Sequence, residues 1–255
     1  MKDQKDFTWM RVVKAIPFRI LAWVLLLAST LPSTLQEGGK PNTLTEAERL
    51  AGWRLLFDGE SLHGWRAYGK QEAPSAGWRV ENGLLIKLPG VRGGDIITRE
   101  KYADFELDWE WWISSMGNNG VKYLVTEARP GAPGHEYQMI DDKTNPDALR
   151  GAKRMTAAFY DVLPASADKP TKGASQWNRS KIVIQGNRVE HWLNGQKVLV
   201  YELGSAGLKE AIQQSKFKQS LGFGEKIAGH IMLTDHQDEA RFRNIKLRII
   251  PSSIP

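Results

Sequence analysis

"FELDWEWWI", Phe105 to Ile113, puts Phe105, Leu107, Trp109, Trp111 and Ile113 at alternate positions and Glu106, Asp108 and Glu110 between them. Successive side chains of a strand point to opposite faces. The stretch therefore predicts a half-buried strand with an apolar face and an acidic one, because a helix would mix the two sets. Three carboxylates on one face leave two readings open. They form a solvated outer face, or they wall a groove in which neighbouring charge raises a carboxyl pKa.

The same period of two recurs outward from this strand, in Gly77 to Leu88, Gly120 to Thr126, His135 to Ile140, Lys181 to Gln185, Arg188 to Leu193, His230 to His236 and Ala240 to Ile250. Turn chemistry separates the runs. Glu81-Asn82-Gly83, Gly117-Asn118-Asn119-Gly120, Gln185-Gly186-Asn187 and Leu193-Asn194-Gly195 supply residues that tolerate positive φ. Helix signals are few: a capping box at Thr45 and Glu48 before Glu46 to Ala51, and Leu208, Ile212 and Phe217 near helical spacing within Gly207 to Lys218. Short antiparallel strands with one short inserted helix predict an all-β sandwich of the jelly-roll kind. No internal repeat interrupts it.

The N-terminus reads as a separate signal. Lys2, Lys5, Arg11, Lys14 and Arg19 precede the apolar run Ile20 to Ala28 and the small residues Ser29, Thr30, Ser33 and Thr34. That run is shorter than the ~20 residues of a membrane span, so residues 1–36 are expected to be a signal peptide with the start of a linker. Residues 37–43 are expected to continue the linker, and 44–250 to form a single domain. Export to the periplasm or beyond follows, with no membrane attachment once the signal is removed. The 255 residues carry a formal charge of +6, but the N-terminal segment holds five Lys/Arg and two Asp/Glu, leaving the rest at +3. Acids are interspersed with those cations, so no nucleic-acid partner is expected. The absence of cysteine excludes disulfides, thiolate metal sites and a Cys nucleophile.

Candidate chemistry gathers in "GHEYQMIDD", Gly134 to Asp142. Glu136 and Gln138 share one strand face and Asp141 emerges at the strand's end. A carboxylate beside an amide suits a hydroxyl-rich ligand, since one accepts hydrogen bonds and the other can also donate. In "HIMLTDHQ", His236 follows Asp235 where a loop would expose an imidazole for proton transfer near neutral pH. His191 shares its face with Val189 and Leu193, which fits a satisfied core histidine as well as a groove wall. No HExxH or EF-hand spacing, GxSxG elbow or phosphate loop occurs. No cofactor is certain, and a divalent cation stays open.

Longer stretches carry a resemblance. "GWRLLFDGESLHGW", "FELDWEW" running into "NNGVKY", "EYQMIDD", "TAAFYDVLPA", "QWNRSKIVIQGNRVEHWLNG" and "GHIMLTDHQDEARFRNIKLR", from about Leu44 to Ile249, resemble the 3-keto-disaccharide hydrolase family. The resemblance implies a concanavalin/laminarinase-like jelly roll and cleavage of 3-keto-glycosides, with an oxidised sugar as the partner. The sequence departs from the family's usual pattern at Asn119, Ala157 to Tyr160, Gln176, Thr234 and Gln237. Gln176 stands where an acid is usual, which puts an acid-base role there in doubt. A ketone at C3 acidifies the C2 proton, so a base can remove it and expel the C1 oxygen, after which water adds back. Direct displacement would instead require two carboxylates.

With this reading, Glu136 is expected as general base or acid, His236 with Asp235 as the second proton-transfer unit, and Glu110 as a supporting carboxylate. Asn118, Gln138 and Asn178 are expected to hold hydroxyls or the enolate, Trp177 or Trp192 to stack on the sugar, and Asp141 and His191 to help line the site. The rival class is a carbohydrate-binding or scaffold module, whose acids would face open water.

Overall fold

The computed structural model describes residues 40–251; the expected signal peptide, 1–36, and the first three linker residues lie outside the described residues. A short helix α1 (Glu46–Leu50) leads into β1 (Arg54–Leu55), β2 (Trp65–Ala67), β3 (Trp78–Glu81), β4 (Leu84–Lys87), β5 (Ile96–Thr98), β6 (Phe105–Ile113), β7 (Asn118–Val125) and β8 (His135–Ile140). After two 3-10 turns come β9 (Asn178–Gln185), β10 (Arg188–Leu193), β11 (Gln196–Glu202), α2 (Ala206–Gln213), β12 (His230–Leu233) and β13 (Ala240–Ile249). An eight-stranded sheet has the order β11-β10-β9-β6-β13-β4-β3, with β1 also on β13, and a five-stranded sheet the order β2-β5-β12-β7-β8. Every pairing is antiparallel, giving the expected all-β sandwich.

The alternation of β6 sets the packing. Trp109 and Trp111 are almost wholly buried, Trp109 against the inward residues of β8. The Trp109 and Tyr137 rings meet edge to face at 5.0 Å, and the Trp111 indole N–H donates to Ser180 Oγ at 2.8 Å. Ser180 in turn donates to Tyr137 OH at 2.8 Å, which donates to Trp192 O at 3.1 Å. Burial of such side chains stabilises by roughly 1.5–3 kcal/mol each, and the polar chain leaves no buried donor among them unpaired.

Local expectations fail where tertiary contacts intervene. The anticipated turn at 117–120 is displaced: β7 begins at Asn118, and Met116 carries the positive φ of 58°, held by its N–H on Asp141 Oδ2 at 3.0 Å. The anticipated strand to His236 stops at Leu233, because the Asp235 carboxylate folds back on a neighbouring loop. α2 is shorter than its apolar spacing suggested, capped at Ser205 and finished at Gln214. Asn42, read as linker, is docked: its N–H donates to Asn244 Oδ1 at 2.6 Å and Asn244 N–H returns a bond to Asn42 Oδ1 at 2.8 Å. Among the described residues no helix is long and apolar enough to cross a membrane.

Candidate active site on the smaller sheet

β7 and β8 pair so that Lys122 faces Glu136, Gly120 faces Gln138 and Asn118 faces Ile140. Inward positions of β8 are His135, Tyr137 and Met139, so Glu136 and Gln138 project from the other side, the outer face of the five-stranded sheet. The missing side chain of Gly120 matters here: a Cβ would overlap the Glu136 carboxylate. Glu136 therefore lies down over β7, with its side chain 7% exposed.

In that niche Lys122 Nζ is 3.7 Å from Glu136 Oε2, and His236 Nε2 is 3.9 Å from Oε1. Both are ion-pair distances beyond hydrogen-bond reach. Burial pushes the Glu136 carboxyl up, but Lys122 and His236 outweigh it, and the group stays below the ordinary carboxylate range. For His236 burial pulls downward, while Glu136 pulls upward more strongly, so the imidazole lies above its ordinary value. Asp95 completes the charge group. Burial raises its carboxyl despite Lys122 and His236, and its Oδ1 accepts the Asp235 N–H at 2.8 Å. Gln138 donates through Nε2 to Asn118 Oδ1 at 3.2 Å, and its Oε1, as the amides are oriented, is buried without a partner. An orphaned acceptor beside a carboxylate is a place for a ligand hydroxyl.

The far wall is the segment after the 3-10 turns, which runs along the free edge of β8. Tyr160 N–H donates to Glu136 O at 3.0 Å, and Ala157 N–H to Gln138 O at 2.8 Å. Arg154 braces it, donating to Asp147 at 2.6 Å, Asp161 at 2.6 Å and Tyr160 OH at 2.9 Å. Lys216 lies 4.2 Å above the Tyr160 ring. Among the described residues no group of three His, Asp or Glu side chains is arranged to hold a metal ion.

Of the residues expected from sequence, Glu136, Gln138, Asn118 and His236 come together. Asp235 is adjacent but has a different task. Its carboxylate pairs with the buried Lys87 Nζ at 2.9 Å and accepts the N–H groups of Gly93 at 2.7 Å, Gly94 at 2.8 Å and Gln237 at 2.9 Å. It anchors the glycine-rich loop before β5 and leaves His236 to face Glu136. Asp141 is likewise committed to loop closure, accepting from Met116 N–H, Lys143 N–H at 3.0 Å and Thr144 Oγ1 at 2.5 Å.

Glu110 is not part of this niche. It projects from the outer face of the eight-stranded sheet, across the sandwich from Glu136, and is held by Arg243 Nε at 2.7 Å and Asn244 Nδ2 at 2.9 Å. Trp192 shares that outer face, with Lys181 Nζ 4.5 Å from its ring, and Trp177 is covered there by Arg243 at 4.2 Å. Neither indole reaches Glu136. Asn178 is turned inward and closes its own loop, accepting from Lys172 N–H at 3.0 Å and Asn194 Nδ2 at 2.9 Å.

His191 is a core residue, not a site wall. Its Nδ1 faces Ala157 O at 2.8 Å; a carbonyl only accepts, so Nδ1 carries the proton and Nε2 accepts from Tyr123 OH at 2.7 Å. Tyr201 OH must then donate to Tyr123 at 2.6 Å, and His135 Nδ1 to Tyr201 at 2.9 Å. Burial pulls His191 down to about 4 and His135 to about 3.

Sequence reasoning missed Lys122, Gly120, Asp95 and the Arg154–Tyr160 brace. Lys122 and Gly120 share strand parity with Asn118, so that alternation could have found them once β7 was known to pair with β8. Nothing local announces Asp95.

A family model described as "3-keto-alpha-glucoside-1,2-lyase-like domain" matches residues 52–248. The chain belongs to this family. The 3-keto-disaccharide hydrolase of Bacteroides thetaiotaomicron is 35% identical over 233 residues, 78% of this chain and 79% of that protein. Two crystal structures from Parabacteroides distasonis ATCC 8503, each provisionally described as a glycosyl hydrolase, superpose on this 3-keto-glucoside-lyase-like domain. One has TM-score 0.75 at 31% identity, covering 83% of this chain and all of that one; the other has 0.62 at 25%, covering 78% and 99%.

Proposed function

We propose that this protein is a carbohydrate-cleaving enzyme acting on 3-keto-glycosides, with Glu136 as the base that removes the C2 proton and His236 as the acid for the departing C1 oxygen. The observation that carries the reading is Glu136 itself: a buried carboxylate kept ionised by cations that stop short of hydrogen-bonding it. An ionised carboxylate with free lone pairs is a base ready to act. Elimination needs one base, one acid and a donor to the enolate oxygen, a smaller demand than the paired carboxylates of direct displacement. Water adding to C1 of the resulting enone gives net hydrolysis. Gln138 Oε1 and Asn118 are assigned to a sugar hydroxyl. A binding module would leave its acids in open water, whereas Glu136 is enclosed. The basic and apolar N-terminus supports export.

The test is to incubate the purified protein with 3-keto-glucosides in deuterated water and follow C2 exchange and aglycone release. Glu136→Gln is expected to lower both by about 10²–10⁴-fold. A folded Glu136→Gln protein that works at the wild-type rate would remove Glu136 from the reaction.

A further inference from the structure

Lys122 has an ammonium group that the fold leaves without close partners. Its side chain is only 18% exposed, and its nearest carboxylate oxygen is the one at 3.7 Å on Glu136. It makes no hydrogen bond among the described residues. A sheltered ammonium ordinarily engages its three donors, as the buried Lys87 does with Leu88 O at 2.7 Å, Val91 O at 2.6 Å and Asp235 at 2.9 Å. Of the other Arg and Lys groups around the site, Arg154 is committed to two aspartates and a tyrosine, and Lys216 lies over the Tyr160 ring. Met232, wholly buried, is the register partner of Lys122 on β12, so on that side the charge borders apolar side chains, and its low exposure leaves it little screened by solvent.

We propose that Lys122 is the electrophile of the site, its ammonium receiving the charge that develops on the substrate's carbonyl oxygen while Glu136 takes the neighbouring proton, and that Gly120 is the notch that keeps the two groups side by side. This rests on the 3-keto-glycoside reading. The proton and the oxygen to be addressed sit on adjacent carbons, so base and electrophile must be neighbours. A separation wider than a hydrogen bond lets that edge of the substrate lie across both.

In the step, the C2–H bond breaks as a proton moves to Glu136. Its electron pair forms C2=C3, and the carbonyl π pair moves onto oxygen beside Lys122. That pair then returns to restore the ketone, C1=C2 forms, the C1–O bond breaks, and the leaving oxygen takes a proton from His236. Gly120 acts through Glu136 and is a positioning residue. Its φ is not positive, so alanine fits the backbone there and disturbs only the carboxylate above it.

The experiment uses the full chain with a 3-keto-glucoside in deuterated water. Lys122→Met is expected to slow C2 exchange and cleavage about a hundredfold or more, with a much smaller change in substrate affinity and with the acid limb of the pH profile moved upward; Lys122→Arg recovers part of the loss. Gly120→Ala is expected to lower kcat with little change in KM and to move the same limb upward. A folded Lys122→Met protein that exchanges the C2 proton near the wild-type rate would overturn the assignment, and Lys122→Gln decides by the same readout if the methionine variant does not fold. Wild-type protein that exchanges nothing would instead overturn the underlying reaction.

Discussion

On the outer face of the eight-stranded sheet each carboxylate of β6 meets an arginine closely: Glu106 with Arg248 at 2.6 Å, Asp108 with Arg179 at 2.9 Å and Glu110 with Arg243 at 2.7 Å. On the outer face of the five-stranded sheet, Glu136 has its cations at 3.7 and 3.9 Å. The two faces use the same residue types to different ends. Arg248 and Arg243 on β13 lie in register with Glu106 and Glu110, Arg179 on β9 reaches Asp108 diagonally from its place opposite Glu110, and each engages its acid in a charge-assisted hydrogen bond. Glu136 meets a lysine, a glycine and a histidine instead, so its oxygens stay free for chemistry. The carboxylate proposed as the base is thus the one whose neighbours stabilise its charge without occupying its lone pairs.

The widest gap should appear in activity. Where Glu136→Gln removes it, Glu110→Gln should leave C2 exchange and cleavage near wild type, because Glu110 lies across the sandwich; a comparable loss from both would break the contrast. Next comes the clamp that presents His236. Lys87→Met leaves Asp235 buried beside its remaining N–H donors, and breaking such a pair should cost about 3–5 kcal/mol, read in a denaturant titration. An unchanged midpoint would mean that the loop does not depend on it.

The interior between the faces should reveal itself through pH. His135 and His191 are neutral in the folded state, at about 3 and about 4, and the unfolded chain protonates them near 6.5. Between those values the unfolded state binds more protons, so stability is full above about 6.5 and declines as pH falls toward 4, by up to ~1.4 kcal/mol per unit for each histidine. Urea midpoints that stay flat from pH 7 to 5 would contradict this. The smallest effect is expected from the stability of Glu110→Gln, about 1 kcal/mol for one partly exposed ion pair, or a few degrees of thermal midpoint at this size.

Much of the architecture was legible locally. The alternation in Phe105–Ile113 and His135–Ile140 identified which side chains turn inward, and the capping box at Thr45 and Glu48 is present as read. For the site, Glu136 and Gln138 were legible as polar groups sharing one strand face and His236 as an imidazole after a strand, whereas Asn118, read locally as a turn residue, came only with the family likeness. Asp141, read at a strand's end, and Asp235 and Asn178, expected through the family likeness, proved to be loop anchors, because a polar side chain at a strand end serves backbone N–H groups as readily as a ligand. His191 was ambiguous by parity, and its inward face led to a tyrosine network.

By itself, then, the sequence determined strands, their inner and outer sides, the all-β class and, through extended likeness, the family. Only tertiary structure decided that Glu110 and Glu136 occupy different outer faces, and that Lys122 and Gly120 stand beside the latter. The reason is the range of the interactions: side-chain alternation is a property of each strand's own backbone, whereas sheet membership depends on pairing between distant segments. A sandwich has two outer faces, and parity cannot say which of them an outward residue will join.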